Sequence, residues 1–146
     1  LSEVSAWDIS TDALRIARGN AASHHAVVDF RQQDALQAPM EDREKWDLII
    51  SNPPYVMEKE RKEMADNVLR HEPSLALFVP NDDPLRFYRA IARYGKHALR
   101  PGGTLLFEIN PLLAEDMLRL LEEESYQHVQ LIADAFGKSR FTKATI

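Results

Sequence analysis

The apolar run Leu48-Ile49-Ile50, stopped by two consecutive prolines, constrains the fold of this chain more than any other feature. A short apolar run between turn formers is a buried strand. Asp47 bounds it on one side and Asn52-Pro53-Pro54-Tyr55 on the other. Neither proline has an N–H to donate, so a sheet cannot continue through them. Asn52 precedes Pro53 and is pushed toward extended geometry. The expected product is a stiff loop at the carboxyl end of a strand, carrying one amide and one phenol. In an open parallel sheet that edge is where ligands bind.

The remaining segments alternate between strand and helix. Glu3-Val4-Ser5-Ala6-Trp7-Asp8-Ile9 reads as a strand, and Ser10 then offers an N-cap with Asp12 in the first turn. Ala13, Leu14, Ala17 and Ala21 fall at helical spacing. Residues 26–32 form a second strand, ending at Gln33-Asp34. The charged stretch 58–66 reads as a solvated helix or a lid, of which the helix is the plainer reading. Asp82 or Asp83 can cap a helix with Pro84 in its first turn and an apolar face of Leu85, Tyr88, Ile91, Ala92 and Leu99. Pro101-Gly102-Gly103 is a turn, residues 104–109 a buried strand, and Asn110-Pro111 the start of another helix with Leu113, Met117, Leu120 and Leu121 inward. Residues 129–133 and 141–146 close the chain as two successive strands. This order predicts an α/β fold: a Rossmann-like, doubly wound, mostly parallel sheet with a C-terminal antiparallel hairpin. Residues 1–146 are expected to be part of one domain.

Composition narrows the function. The 146 residues carry a formal charge of -5, where a chain built to grip duplex nucleic acid would carry a basic excess. No direct nucleic-acid partner is expected, and no apolar stretch reaches the roughly 18 residues of a membrane span. The absence of cysteine excludes disulfides and thiolate metal sites and fits a reducing, cytoplasmic setting. None of the five histidines stands in a metal-ligand spacing, so no metal is expected.

Three places carry chemistry. Asp8, with Ile9 beside it, ends the first strand, where an acidic side chain can accept hydrogen bonds from both ribose hydroxyls of a nucleotide. The plainer reading is a helix-cap or surface aspartate. Asp34, followed by Ala35, stands in the same relation to the second strand and can hold an adenine amino group or be a loop aspartate. Asn52 has a sharper rationale. The lone pair of an amide or aryl nitrogen is delocalised, and acceptors that take hydrogen bonds from that NH2 group help to localise it. The Asn52 side-chain oxygen and the Pro53 carbonyl can each accept one such bond. Tyr55 supplies an aromatic wall for a planar group, whereas the alternative is a structural Asn-Pro turn. His71 and Glu72 are either walls of the same site or a loop ion pair.

With those residues in place the chain resembles the HemK-type protein-glutamine methyltransferases. The residues that carry the resemblance are Asp8-Ile9-Ser10 with Asp12-Ala13-Leu14, then Asp34, Asn52-Pro53-Pro54-Tyr55, and His71-Glu72-Pro73 with Leu75-Ala76-Leu77. Phe87-Tyr88-Arg89, Leu99-Arg100-Pro101-Gly102-Gly103, Phe107-Glu108-Ile109 and Gly137-Lys138-Ser139-Arg140-Phe141 extend it to nearly the whole chain. The resemblance implies methyl transfer from S-adenosylmethionine to a glutamine side-chain amide, in the Gly-Gly-Gln loop of a peptide chain release factor or in a ribosomal protein. It implies cofactor contacts at Asp8, Ile9, Asp34, Ala35 and Asn52. Substrate contacts are implied at Asn52, Pro53, Pro54, Tyr55, His71 and Glu72, with Asn52, Pro53 and Tyr55 catalytic.

The resemblance has two departures. Asn110-Pro111 stands where the family often has glycine. The sequence also begins about where the family's second strand begins, so the family's first strand, its glycine-rich loop and its N-terminal helical domain are not in it. The first strand of such sheets lies between the strand ending at Asp8 and the strand ending at Ser51. A chain without it is expected to bind cofactor weakly and to self-associate. Two rival functions stand beside the main one: a nucleic-acid methyltransferase acting on an adenine or guanine amino group, and a catalytically silent binding or folding module.

Overall fold

The structure, a computed structural model, describes residues 2–57, 78–79 and 82–146. The chain divides into two compact units, Leu1–Ala38 and Pro39–Ile146.

The first unit is a strand, a helix and a strand. β1 (Ser5–Asp8) pairs in parallel with β2 (Asp29–Gln32), Ser5 opposite Asp29 and Asp8 opposite Gln32. The connecting helix α1 (Thr11–Ser23) starts as its sequence dictates: Ser10 is extended, and its Oγ accepts the Ala13 N–H at 3.2 Å. That bond satisfies one of the donors that a helix N-terminus leaves open. Leu14 is buried under the strands, at 3% exposure. Both strands are shorter than expected. At the end of α1, His25 takes a left-handed φ of 53° and Ala26 N–H returns to the Ala21 carbonyl. The next residues climb out of that turn instead of pairing, which leaves Val27 at 91% exposure.

The second unit is built on a four-stranded sheet in the order β3-β6-β8-β7. β3 (Trp46–Ser51) runs parallel to β6 (Leu99–Glu108). β7 (Gln127–Ala133) and β8 (Ser139–Thr145) form the expected antiparallel hairpin, with β8 antiparallel to β6. Two-residue strands β4 (Val56–Met57) and β5 (Phe78–Val79) pair in parallel. Helix α2 (Arg86–Ala98) buries Tyr88, Ile91, Ala92, Tyr94 and Ala98, and the Tyr88 ring meets Phe107 of β6 edge-on at 5.1 Å. Helix α3 (Ala114–Glu123) buries Met117, Leu120 and Leu121. Along β6, Leu105 and Phe107 are buried and Ile109 follows just beyond its end, the period of two that marks one core face. Among the described residues no helix is long and apolar enough to cross a membrane.

Three expectations change in detail. The run at 48–50 is a strand but not a buried one: Leu48 is 49% and Ile50 66% exposed. Among the described residues β6 is the neighbour that pairs with β3, so β3 is an edge, and one of its faces is open. Next, α2 begins at Arg86 without a side-chain cap, because the Asp83 carboxylate instead binds the Arg89 guanidinium with both oxygens at 3.1 Å. Finally, the Pro101-Gly102-Gly103 turn lies inside β6, where the register against β3 jumps from Trp46–Leu99 to Leu48–Thr104. Gly102 needs its φ of 77°, and a Cβ on Gly103 would sit 2.8 Å from the Arg100 carbonyl. The stretch 58–66, expected to be a solvated helix, lies outside the described residues.

Candidate active site

β3 and β6 run in parallel, so they end at the same edge of the sheet, and Asn52-Pro53-Pro54-Tyr55 leaves β3 there. Asn52 is exposed, Pro53 is buried, and Pro54 and Tyr55 are half-buried. Both prolines fix their own φ, so the loop has few torsions left to vary.

Tyr55 is held at two points. Its hydroxyl donates to Glu108 Oε1 at 2.9 Å, and its backbone carbonyl accepts from Asn110 Nδ2 at 3.0 Å. Glu108 is the last residue of β6, and its own carbonyl accepts from the fully buried Tyr88 hydroxyl at 3.0 Å. Asn110, only 4% exposed, uses its other amide atom as well. Its Oδ1 accepts the Leu112 N–H at 3.0 Å and caps the single 3-10 turn Pro111–Leu113. The helix expected after Asn110 therefore opens with that turn and becomes α-helical at Ala114. Arg140, at the start of β8, lies beside Tyr55 and is tied to Asp134 at 3.3 Å.

This environment sets the ionisation of the group. Burial raises the Tyr55 pKa, and the Glu108 carboxylate raises it further by accepting the phenol proton and by its charge. The Arg140 cation opposes the rise. Tyr55 therefore stays a neutral hydrogen-bond donor at neutral pH. Asp134 is held below the ordinary carboxylate range, chiefly by the backbone N–H of Lys138 and also by that of Phe136 and by Arg140.

In the first unit, Asp8 ends β1 and Asp34 follows the end of the parallel β2, so the two share one edge of that pair. Asp8 is exposed, and its Oδ1 accepts the Ser10 N–H at 2.8 Å. The Gln33 N–H donates to the Asp8 carbonyl at 3.0 Å, which fastens this edge. Asp34 Oδ1 accepts the Leu36 N–H at 2.8 Å and caps the turn Ala35–Gln37. Asp34 thus does plain capping work, and Asp8 braces the Ser10 cap of α1. Each uses one oxygen; Asp8 is exposed and Asp34 half-buried, and the second carboxylate oxygen of each suits a hydroxyl or amino donor. These residues fit the ribose and adenine of a nucleotide cofactor. Ile9 is 45% exposed beside Asp8, and Ala35 is half-buried.

The structure brings Asn52, Pro53, Pro54 and Tyr55 together in the second unit, and Asp8, Ile9, Asp34 and Ala35 in the first. His71 and Glu72 lie outside the described residues. Sequence reasoning missed the supports of Tyr55. Phe107-Glu108-Ile109 offered one signal, an acid at the end of an apolar strand, but nothing local links it to a tyrosine 53 positions away.

Comparison with known proteins adds a family. The family model described as Methyltransferase small domain matches residues 1–76. A Bacteroides thetaiotaomicron protein named release factor glutamine methyltransferase is 52% identical over 98% of this chain and 51% of its own length. A Flavobacterium psychrophilum protein of the same name is 40% identical over 97% of this chain and 50% of its own length. The chain thus spans about half the length of these curated relatives. Among solved structures, a methyltransferase from Pyrococcus furiosus superposes with a TM-score of 0.67 at 16% identity, covering 98% of this chain and 61% of that one. That likeness establishes the α/β methyltransferase fold.

Proposed function

The chain belongs to the Methyltransferase small domain family, and from that premise we propose that it is part of the catalytic domain of a protein-glutamine methyltransferase. The substrate we propose is the glutamine of the Gly-Gly-Gln loop in a peptide chain release factor, modified in the cytoplasm. The names of the relatives support this reading, and so does the acidic balance, which disfavours a nucleic-acid acceptor. The observation that carries it is the fastened loop: an exposed Asn52 followed by two prolines and a tyrosine held at both its carbonyl and its hydroxyl.

S-adenosylmethionine, when bound, supplies a methyl group on a positively charged sulfur. Asp8 and Asp34 hold its ribose and adenine. The Asn52 side-chain oxygen and the Pro53 carbonyl accept the two N–H bonds of the substrate amide. That fixes the plane of the NH2 group and helps to localise its lone pair. Tyr55 packs on the amide plane. Both acceptors are neutral, so the residues act by orientation and by excluding water.

The test uses the full-length protein and radiolabelled cofactor with release factor and, separately, nucleic acid. Label on a release-factor glutamine is expected, and label on nucleic acid alone overturns the reading. At saturating cofactor, Asn52→Ala is expected to lower single-turnover methyl transfer by about 10²-fold. A near wild-type rate removes Asn52 from the mechanism.

A further inference from the structure

We infer that Glu108 and Asn110 are positioning residues for methyl transfer, acting together through Tyr55; this rests on the function proposed above for the Asn-Pro-Pro-Tyr loop.

The loop is closed at both ends against one short stretch of chain. At its start, Ser51 pairs with Phe107. At its end, Tyr55 is bound by Glu108 and by Asn110. Residues 51 to 55 therefore span the same piece of backbone as residues 107 to 110. With two of the intervening φ angles locked by proline, the Asn52 amide and the Pro53 carbonyl have little freedom.

The supports are themselves anchored. Glu108 is gripped at its carbonyl by Tyr88, whose ring is wedged against Phe107 at an interplanar angle of 86°. Asn110 is buried and bidentate: one amide atom caps the start of the 3-10 turn and the other holds the loop. A residue without a side-chain N–H at 110 leaves the Tyr55 carbonyl without this donor. Misplacing a reacting group by about 1 Å can cost about 10²-fold in rate, so the tolerance at this loop is small.

The two residues divide the work. Glu108 fixes the phenol tip and hence the tilt of the ring. Asn110 fixes the backbone at the root of the ring. Neither needs to touch substrate, which predicts an effect on turnover without one on cofactor binding.

The experiment is a double-mutant cycle in the full-length enzyme, with kcat and KM measured for the methyl acceptor and cofactor affinity by calorimetry. Tyr55→Phe and Glu108→Ala are each expected to lower kcat about 10-fold, with cofactor affinity unchanged. The double variant is expected to fall about 10-fold, not the roughly 100-fold of independent sites, because Glu108 acts through the Tyr55 hydroxyl. Glu108→Gln is expected to recover to within about 3-fold of wild type, since its amide oxygen still accepts from the phenol. Asn110→Asp retains the acceptor that caps the turn but loses the donor to Tyr55, and is expected to lower kcat about 10-fold. Multiplicative loss in the double variant, no recovery with Glu108→Gln, or a wild-type kcat for Asn110→Asp overturns the inference. If the wild-type enzyme methylates a different amino acceptor, the functional reading fails, and the same cycle run on that acceptor still decides the clamp.

Discussion

Helix α2 carries Tyr88 to the strand that supports the loop, and its seat on the sheet is set by a glycine. A Cβ built on Gly95 falls 2.5 Å from the Tyr126 hydroxyl, with Leu99 and Ile49 side-chain atoms at ordinary contact distance. The hydroxyl cannot swing aside. It ends a rigid ring, is buried at 5% exposure, and donates to the Ala92 carbonyl at 2.7 Å. Gly95→Ala therefore sets two effects against each other. Replacing glycine by alanine inside a helix gains about 1 kcal/mol. Forcing an extra methyl into a packed site costs about 1–3 kcal/mol. The overpacking should win by about 1 kcal/mol in the wild-type background. Tyr126→Phe alone should cost about 1 kcal/mol, the net value of one hydrogen bond. In that background the clash is gone, and Gly95→Ala should stabilise by up to about 1 kcal/mol. The sign reversal gives a coupling of about 2 kcal/mol, well above the roughly 0.5 kcal/mol scatter of independent sites. Urea denaturation of the four proteins measures it through their midpoints at constant slope. Equal effects of Gly95→Ala in both backgrounds would refute the reasoning.

Three further outcomes are expected. Asp8→Ala in the full-length enzyme should weaken S-adenosylmethionine binding about 30-fold, the scale of lost hydrogen bonds to a charged acceptor, and calorimetry with an unchanged affinity removes Asp8 from the cofactor site. Thr142 is fully buried on β8 with its hydroxyl unpartnered among the described residues, so Thr142→Val should raise the urea midpoint, by up to about 1 kcal/mol in stability. Tyr55, Tyr88 and Tyr126 all have raised pKa values, led in each case by burial, so the folded state resists placing a phenolate there. Stability should hold below the ordinary tyrosine value of about 10 and fall as pH rises through the raised values, and an ultraviolet titration in which every tyrosine ionises reversibly near 10 contradicts this.

What the sequence revealed depended on how local the cause was. The Asn52-Pro53-Pro54-Tyr55 loop was legible because proline geometry and strand ending are properties of adjacent residues. The same holds for the Ser10 cap and for the closing hairpin. The exposure of Leu48 and Ile50 was not legible, because burial of a strand face depends on what covers it, and periodicity reports only that the face is apolar. The Asp83 cap failed for a related reason: a carboxylate that can cap a helix can also bind an arginine six residues on, and here Arg89 took it.

The supports of Tyr55 follow from topology, which no single segment encodes. A parallel β3–β6 pair puts the end of β3 and the end of β6 at one edge, so the loop leaving β3 meets the acid that ends β6. An antiparallel β8 on the far side of β6 must begin where β6 ends, which brings Arg140 to the same place. A helix packed on that face then supplies the Tyr88 hydroxyl to the Glu108 carbonyl. Each residue was visible in the sequence as a type, an acid, a cation or a phenol. Their meeting is a consequence of strand order and direction. Asn110 is the exception that sequence could have raised: a buried polar side chain in front of proline must satisfy both of its amide groups, and it does so by starting one turn and holding the loop at Tyr55.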